Sequence, residues 1–348
     1  MKTIRISKNK IGEGNACFIS FEVGATWMNF KDAKKLIKAS ALAGADAIKF
    51  QTLLPGQSDK LINKKNLKIS FKTSKGHKNE NMLEILQKRE LPKKMWKKLV
   101  DYSHKQGLAF ITTVSFIDTI DFLKEIKVDA IKISKGDINN VLLVNEVSKK
   151  GIPIILDGRE KFSDVEKALK ICEKNKNFQV VLMHCPSGYP AESAGVHLRA
   201  ISKIKEKFDY PVGYADHSPN DIMNYGAISL GANMLEKTIT SNKKTDRVEH
   251  LMSLEIDELK NFVQNINELQ NAMGNPNILN ISRVNEDARR SIVAKETIHS
   301  GEKITLENID FQRPGNLGIS ASEGFKILNK KSNCFIKKGM IIKKTMLK

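Results

Sequence analysis

The chain has 348 residues and a formal net charge of +19 at pH 7, and its hydrophobic fraction of 41% is ordinary for a globular protein. It has neither a run of about 18 apolar residues nor an apolar N-terminal segment, so we expect no membrane span and no secretory signal. The surplus charge is mostly Lys spread along the chain, without the aromatic-studded basic strands that bind single-stranded nucleic acid, so we expect no nucleic-acid partner. Its four cysteines lack disulfide or metal-type spacing, which favours a reducing compartment, the cytoplasm.

The chain begins with a predicted hairpin over residues 4–16, placed to plug the floor of the domain that follows. Short β-branched runs then alternate with amphipathic stretches such as Asp32–Ala43 and Pro92–Gln106, a pattern typical of parallel βα units. Eight strands are predicted: Cys17–Val23, Ala47–Leu53, Leu108–Val114, Ala130–Ser134, Pro153–Asp157, Gln179–Cys185, Pro211–Asp216 and Met234–Ile239.

Eight such units in about 275 residues predict a (β/α)₈ TIM barrel. The alternative is a doubly wound open sheet. Its glycine-rich phosphate fingerprint is absent after the first strand, where Gly24-Ala25-Thr26-Trp27 stands instead. We therefore favour the barrel.

Two segments lie outside the repeating pattern. Residues 54–91 form a polar, Lys-rich insertion after the second strand, and a stretch of that length predicts a lid or disorder. Gly274-Asn275-Pro276-Asn277 ends the helical pattern, so we predict domains at 1–275 and 288–348 with a linker at 276–287. The small domain is β-rich, and its segment Ile298–Ile304 is echoed by Ile336–Ile342. Because it can bury little by itself, we expect it to dock on another surface, either that of its own barrel or that of a partner.

Polar residues at the carboxyl ends of the strands mark the expected site of a barrel enzyme. Lys49 and Lys132 each lie inside an apolar strand sequence, where a lysine must be paired or face the barrel mouth. Several cations at one mouth indicate an anionic ligand. The strand-end residues are Glu22, Lys49, Gln51, Thr113, Lys132, Lys135, Asp137, Asp157, Arg159, His184, Asp216, His217 and Glu236.

Five motifs in this order resemble those of sialic acid synthases, and the C-terminal part resembles the antifreeze-like (SAF) domain that these enzymes carry. The motifs are Ala45-Asp46-Ala47-Ile48-Lys49-Phe50-Gln51-Thr52, Lys132-Ile133-x-x-Gly136-Asp137-x-x-Asn140, His184-Cys185-x-Ser187-x-Tyr189-Pro190, Gly213-Tyr214-x-Asp216-His217 and Arg313-Pro314-Gly315-Asn316.

The resemblance implies condensation of phosphoenolpyruvate with an N-acyl hexosamine, with a divalent metal (manganese or magnesium) polarising the aldehyde. It implies catalytic roles for Glu22, His217 and Glu236, with His217 also a metal ligand. It also implies a domain-swapped homodimer in which Arg313 of the neighbouring subunit holds the N-acyl end of the sugar. The implied substrate-binding residues are Lys49, Gln51, Thr113, Lys132, Lys135, Asp137, Tyr189, Glu249 and Arg313.

The chain departs from the family pattern at several of these positions. Thr238 stands where the family has a second metal histidine, so we expect weak metal binding, with His250 as the first alternative ligand. The Asn-His pair after the first strand is replaced by Thr26-Trp27. Lys135, Asp157 and Ala215 replace serines, and Glu249 replaces an aspartate.

Three functions remain open at this point. The first is a synthase acting on an unusual sugar with altered metal dependence. The second is a different activity on the same scaffold, favoured by the negative charge of Asp157. The third is a non-catalytic sugar- or phosphate-binding protein, against which the retained ring of polar residues counts.

Overall fold

The computed structural model describes residues 2–158, 161–274 and 287–348. The chain divides into two compact units, Met1–Gly274 and Asn275–Lys348. The predicted linker at 276–287 lies outside the described residues except for Asp287.

The first unit is built on a closed parallel barrel. Neighbouring strands pair in parallel in the order β3-β4-β7-β8-β9-β10-β11-β12, and β12 pairs with β3 to close the ring. Closure confirms the predicted barrel over the open sheet. The strands in the described part of this unit are β1 (Ile4–Ile6), β2 (Asn9–Ile11), β3 (Phe18–Glu22), β4 (Ala47–Gln51), β5 (Lys68–Thr73), β6 (Gly76–Asn81), β7 (Ala109–Thr113), β8 (Ala130–Ile133), β9 (Ile154–Asp157), β10 (Val180–His184), β11 (Val212–Asp216), β12 (Met234–Thr240) and β13 (Leu254–Glu255).

Helices surround the barrel, and their apolar faces pack on the outward-facing side chains of the strands in the largest core cluster. Within the described ranges, no helix combines the length and the apolar character needed to cross a membrane. The α-helices are α1 (Phe30–Ala43), α2 (Gln57–Leu61), α3 (Met82–Gln87), α4 (Lys93–Lys105), α5 (Ile120–Glu125), α6 (Val141–Ser148), α7 (Phe162–Lys174), α8 (Ala200–Lys207), α9 (Ile222–Ser229) and α10 (Leu259–Met273), with 3₁₀ turns at Ile117–Thr119, Ser193–Gly195 and His250–Met252.

The N-terminal hairpin, β1 with β2, closes one end of the barrel, as predicted. Its side chains Ile4, Ile6 and Ile11 are buried, and they form a core cluster with the inward-facing residues of the strands, among them Phe18 and Ala47. Because this end is filled by isoleucine, polar side chains that point into the barrel can meet a ligand only at the opposite end.

The insertion after β4 is ordered, so the alternative of disorder is wrong and a lid stays a prediction. It contains α2, the antiparallel hairpin β5–β6 and α3. Phe71 and Ile85 of the insertion pack with Ala25 and Val248 of the barrel loops. These few apolar contacts, too sparse to give a periodic pattern, fix the insertion beside the carboxyl ends of the strands.

The second unit has an isoleucine core of its own, larger than the small domain was expected to bury. The two similar halves pair with each other through Ile298 and Ile336. Each half turns at a glycine with left-handed backbone, Gly301 (φ +85°) and Gly339 (φ +81°). Its described elements are β14 (Ser291–Ala294), β15 (Ile309–Gln312) and α11 (Gly324–Ile327), with 3₁₀ turns at Ala321–Glu323 and Lys344–Met346.

The hairpin plug makes a prediction about stability. Ile11 is fully buried, so Ile11→Ala should leave a cavity and lower the free energy of unfolding by about 2–5 kcal/mol. Lys10→Ala, one position away on the exposed side, should change it by less than about 0.5 kcal/mol. Urea unfolding followed by circular dichroism measures both. Equal effects of the two substitutions would show that the hairpin does not complete the core.

Candidate active site

A cavity of about 550 Å³ lies at the carboxyl ends of the barrel strands. Side chains alternate along a strand, so the register that buries Ala47 and Ala130 in the barrel also points Lys49 and Lys132 into its mouth. Of the substrate-binding and catalytic residues predicted from the sequence, those lining this cavity are Glu22, Lys49, Gln51, Thr113, Lys132, Lys135, Asp137, Tyr189, His217, Glu236 and Glu249.

A buried cluster of four charges forms the floor of the mouth. Oε1 of Glu236 accepts from Nζ of Lys132 at 2.7 Å and from Nζ of Lys49 at 2.9 Å. Lys49 also lies 2.8 Å from Oε1 of Glu22. All four residues are at least 95% buried, and charges at that depth are stable only when paired. We call these four residues the ion cluster.

The ion cluster fixes the protonation of its members. Burial alone would raise the pKa of Glu236, but the ammonium groups of Lys132 and Lys49 lower it to about 2. Burial likewise opposes the charge on Lys132, yet the carboxylate of Glu236 raises the pKa of Lys132 above its ordinary value. At neutral pH the ammonium of Lys132 is therefore charged and lies beside the ionised carboxylate of Glu236.

Oε2 of Glu236 is also buried, and it has no hydrogen bond from any described residue. A buried acceptor without a donor is costly, so this oxygen is available to a hydroxyl or water brought in by a ligand.

The wall of the mouth beside β3 depends on a glycine. A Cβ at Gly24 would lie 2.8 Å from Oε2 of Glu249 and 2.9 Å from Oε1 of Glu22, closer than van der Waals contact permits. Oε2 of Glu249 accepts from the backbone N–H of Ala25 at 2.6 Å. Burial, followed by the carboxylate of Glu22, raises the pKa of Glu249. This wall thus places Glu249, a carboxyl group of raised proton affinity, beside a second carboxyl group.

The opposite wall carries Thr113, Lys135, Asp137 and Asp157. Oδ2 of Asp137 accepts from the hydroxyl of Ser134 at 3.2 Å and from that of Ser115 at 3.3 Å, and burial raises the pKa of Asp137. Among the described residues, the cavity is therefore lined by five carboxyl groups and three lysines. It is strongly polar, and its described lysines do not outnumber its described acids.

His217 lies at the rim of the cavity. Its ring stacks on Tyr189 with centroids 5.1 Å apart, and its Nε2 is 3.8 Å from Sγ of Cys185. A divalent metal here would need further nitrogen or carboxylate donors at the same point. Over the ranges that the structure describes, no group of three or more His, Cys, Asp or Glu side chains is placed to hold a metal ion.

Two residues considered as metal ligands do not supply such a donor. Thr238 is buried on β12 and offers a neutral hydroxyl. His250 does not line the cavity: its Nδ1 is 2.7 Å from Oγ1 of Thr240, and burial lowers the pKa of His250 to about 4. The residues present therefore do not fit a two-histidine metal centre.

Some of the predicted strand-end residues do not face the mouth, so the prediction that all of them converge there is wrong. His184 and Asp216 have the opposite strand parity and face the surrounding helices. His184 Nε2 is 2.7 Å from the carbonyl of Val196, and Asp216 forms a fully buried ion pair with Lys237. Arg159 lies outside the described residues. Arg313 is exposed in the second unit, in the loop after β15.

Lys237 was not predicted from the sequence. Its Nζ donates to Oδ2 of Asp216 and to the carbonyl oxygen of Ser218, both at 2.6 Å. These two bonds fix the residues on either side of His217. The sequence does contain a signal for it. A lysine in the apolar strand sequence Met234-Leu235-Glu236-Lys237 needs a partner, and the neighbouring strand offers Asp216.

Arg89, at the end of the insertion, was also missed. It is 6% exposed, and the carboxylates of Glu249 and Glu22 are among the charges that favour its ionised form. The polar sequence around Arg89 gives no sign that it is buried.

Comparisons with known proteins match both units of the chain. A model described as the NeuB family matches residues 36–277, and a SAF domain model matches residues 289–348. The chain is 34% identical to N,N'-diacetyllegionaminic acid synthase of Campylobacter jejuni over 86% of this chain and 90% of that one. It is 30% identical to N-acetylneuraminate-9-phosphate synthase of Mus musculus, over 92% of this chain and 90% of that one. A crystal structure of N-acetylneuraminic acid synthetase from Leptospira borgpetersenii, in complex with citrate, superposes on the chain with a TM-score of 0.73. The two sequences are 27% identical, and the superposition covers 82% of this chain and 95% of that one.

The ion cluster predicts a pH-dependent contribution to stability. The pKa of Glu236 is about 2 in the fold against an ordinary 4.5, so its stabilisation is complete above pH 4.5 and is lost as the pH falls towards 2. Glu236→Gln should therefore cost about 3–5 kcal/mol at pH 7, because Lys132 loses its charged partner, and less at pH 3. Denaturant unfolding at both pH values measures the difference. The exposed Glu13→Gln is the control, and a cost for Glu236→Gln that does not change with pH would contradict the prediction.

Proposed function

Because the chain belongs to the NeuB family, we propose that it condenses phosphoenolpyruvate with an N-acyl hexosamine-type aldose to give a nonulosonic acid and inorganic phosphate. The observation that carries the proposal is the ion cluster, which presents two fixed lysines and two carboxylates at the mouth of a barrel. The relatives support it, since those compared above are named as synthases of legionaminic acid, N-acetylneuraminic acid or its 9-phosphate.

In this proposal the ion cluster binds phosphoenolpyruvate. Lys49 and Lys132 donate hydrogen bonds to its carboxylate and phosphate. Each ammonium can weaken its hydrogen bond to Glu236 and form a charge-assisted hydrogen bond to the ligand anion. Gln51 and Thr113, on adjacent strands, donate neutral hydrogen bonds to the same molecule. Lys135 lies on the far wall, where it adds a cation for the phosphate.

The sugar then lies over the wall formed by Glu22, Glu249 and Tyr189. The methylene carbon of phosphoenolpyruvate forms a bond to the aldehyde carbon, and the aldehyde oxygen gains a proton and becomes a hydroxyl. Water adds to the enol carbon and loses one proton, and the new hydroxyl gives its remaining proton to the departing phosphate as the carbon–oxygen bond breaks, which leaves a 2-keto acid and inorganic phosphate. Glu22, paired with Lys49, is the carboxylate placed to move these protons, and Glu236 orients both lysines.

One observation favours the second candidate, a different activity on the same scaffold. Among the described residues, five carboxyl groups line the cavity against three lysines, and one of the five, Asp157, lies on the wall assigned to phosphate. Lys135 lies on the same wall and offsets this negative charge, which is why the synthase remains our first proposal. A non-catalytic binding protein is the third candidate. Turnover of phosphoenolpyruvate in the assay below would exclude it.

The predicted homodimer and cytoplasmic location remain predictions. The second unit exposes the large apolar side chains of Leu306, Phe325 and Phe335, and such side chains favour docking against another surface. We propose that this surface belongs to a second copy of the chain, with Arg313 reaching its barrel mouth.

A phosphate-release assay tests the function. The purified protein is incubated with phosphoenolpyruvate and a panel of N-acyl hexosamines, with and without Mn²⁺. We expect release that depends on both substrates. Release without any sugar would favour the second candidate, and no release with any sugar would favour the third.

Replacing Lys49 or Lys132 by Met removes a cation without adding bulk. A buried charge-assisted contact is worth about 1.5–3 kcal/mol, so affinity for phosphoenolpyruvate should fall about tenfold or more in each variant. Titration calorimetry measures the affinity, and Lys94→Met, exposed on α4, is the matched control. Unchanged affinity in both variants would place the anion site elsewhere.

We also propose that any divalent metal binds weakly, because Thr238 stands where a second imidazole would be. Thr238→His should then tighten Mn²⁺ binding by about tenfold or more, since even outer contacts of a metal site change affinity tenfold. His217→Ala should abolish the remaining response, and calorimetry with Mn²⁺ measures both. Tight binding by the natural protein would contradict the proposal.

A further inference from the structure

A second, smaller cavity of about 120 Å³ adjoins the wall of the mouth that holds Glu249. Residues of the loop after β3, the end of α3 and the loop that follows β12 line it. Ala25 belongs to its lining, and the backbone N–H of Ala25 donates to Oε2 of Glu249, which lines the mouth, at 2.6 Å. A ligand bound over Glu249 would therefore need to extend only a short way to enter this cavity.

Arg89 is the most unusual part of its lining. The residue is more than nine-tenths buried, yet its guanidinium makes no hydrogen bond and no ion pair within 4.0 Å with any described residue. A guanidinium carries five donors, and those of Arg89 keep contact with the cavity, where a ligand can supply acceptors. Burial lowers the pKa of Arg89, whereas the carboxylates of Glu249 and Glu22 favour its charge. These carboxylates stabilise the cation at a distance and leave its donors available.

Two further cations, Arg247 and Lys88, line the same cavity. The lining contains one acid, Glu80, and its carboxylate lies 3.4 Å from Nζ of Lys78. Arg247 Nη1 contacts Sδ of Met28 at 3.9 Å, a weak acceptor that leaves the guanidinium able to bind an anion. The cavity therefore has a surplus of positive charge, the opposite of the carboxylate-rich mouth beside it. We call it the arginine subsite.

We propose that the arginine subsite binds an anionic group, a phosphate or a carboxylate, carried by the sugar substrate at the end remote from its aldehyde. The inference rests on the proposed function and adds the chemical class of the second substrate. A neutral N-acyl group would leave the donors of Arg89 without acceptors of matching charge. A cavity of about 120 Å³ holds about four water molecules, enough room for one such anionic group.

Paired substrates test the inference. Rates of phosphoenolpyruvate consumption are compared for an N-acetylhexosamine, its 6-phosphate and its 6-uronic acid. We expect kcat/KM to be about tenfold or more higher for at least one charged sugar than for the neutral sugar, and the two charged sugars show which anion fits. Arg89→Met should raise KM for the preferred charged sugar about tenfold more than it raises KM for the neutral sugar. The rise in KM should be smaller in Arg89→Lys than in Arg89→Met, because lysine keeps the positive charge.

Controls separate the inference from folding and from the proposed function. Arg199→Met, at an exposed position outside the subsite, removes the same charge and should change nothing. Because Arg89→Met could fail to fold, the less buried Arg247→Met carries the same test, with thermal unfolding as the folding control. Equal use of neutral and charged sugars by the natural protein, or an equal effect of the Arg247 variant on both, overturns this inference alone. No consumption of phosphoenolpyruvate with any sugar overturns the proposed function as well.

Discussion

Oε1 of Glu236 accepts hydrogen bonds from Lys49 and Lys132 at once, in a part of the barrel with little access to water. Neither lysine could keep its charge at that depth without an ionised partner, and the carboxylate could not stay ionised without the lysines. The barrel makes the arrangement possible because β4, β8 and β12 all end at one mouth. The lysines that we assign to anion binding therefore keep their charges at this depth only because the fold places Glu236 beside both of them.

The surroundings of the ion cluster differ from those expected of the family in a consistent way. Asp157 stands where a serine is expected, and Thr238 stands where a metal histidine is expected. The insertion brings Arg89 close to Glu249 and Glu22, and Lys135 lies on the wall assigned to phosphate. Positive charge thus lies on the floor of the mouth and also at its edges, where a larger or more highly charged second substrate would meet it.

Much of the fold and part of the site could be predicted from the sequence. The strands follow from short β-branched runs, and Lys49 and Lys132 stand out because a lysine inside such a run must face the mouth or a partner. His184 and Asp216 were assigned wrongly because a position at a strand end does not reveal which side of the strand a residue occupies; the parity of Met183 and Ala215, buried inside the barrel, decides it. Arg89 could not be found because its burial depends on the distant Phe71 and Val248 holding the insertion in place. No local pattern encodes such a contact.

The mass of the product tests the central claim most directly. The account predicts that phosphoenolpyruvate and an N-acyl hexosamine, incubated with the protein, yield a 2-keto acid whose mass equals that of the sugar plus the three-carbon pyruvate unit, formed in step with phosphate. Free pyruvate with no joined product would contradict it, because the ion cluster would then promote loss of phosphate without forming the carbon–carbon bond.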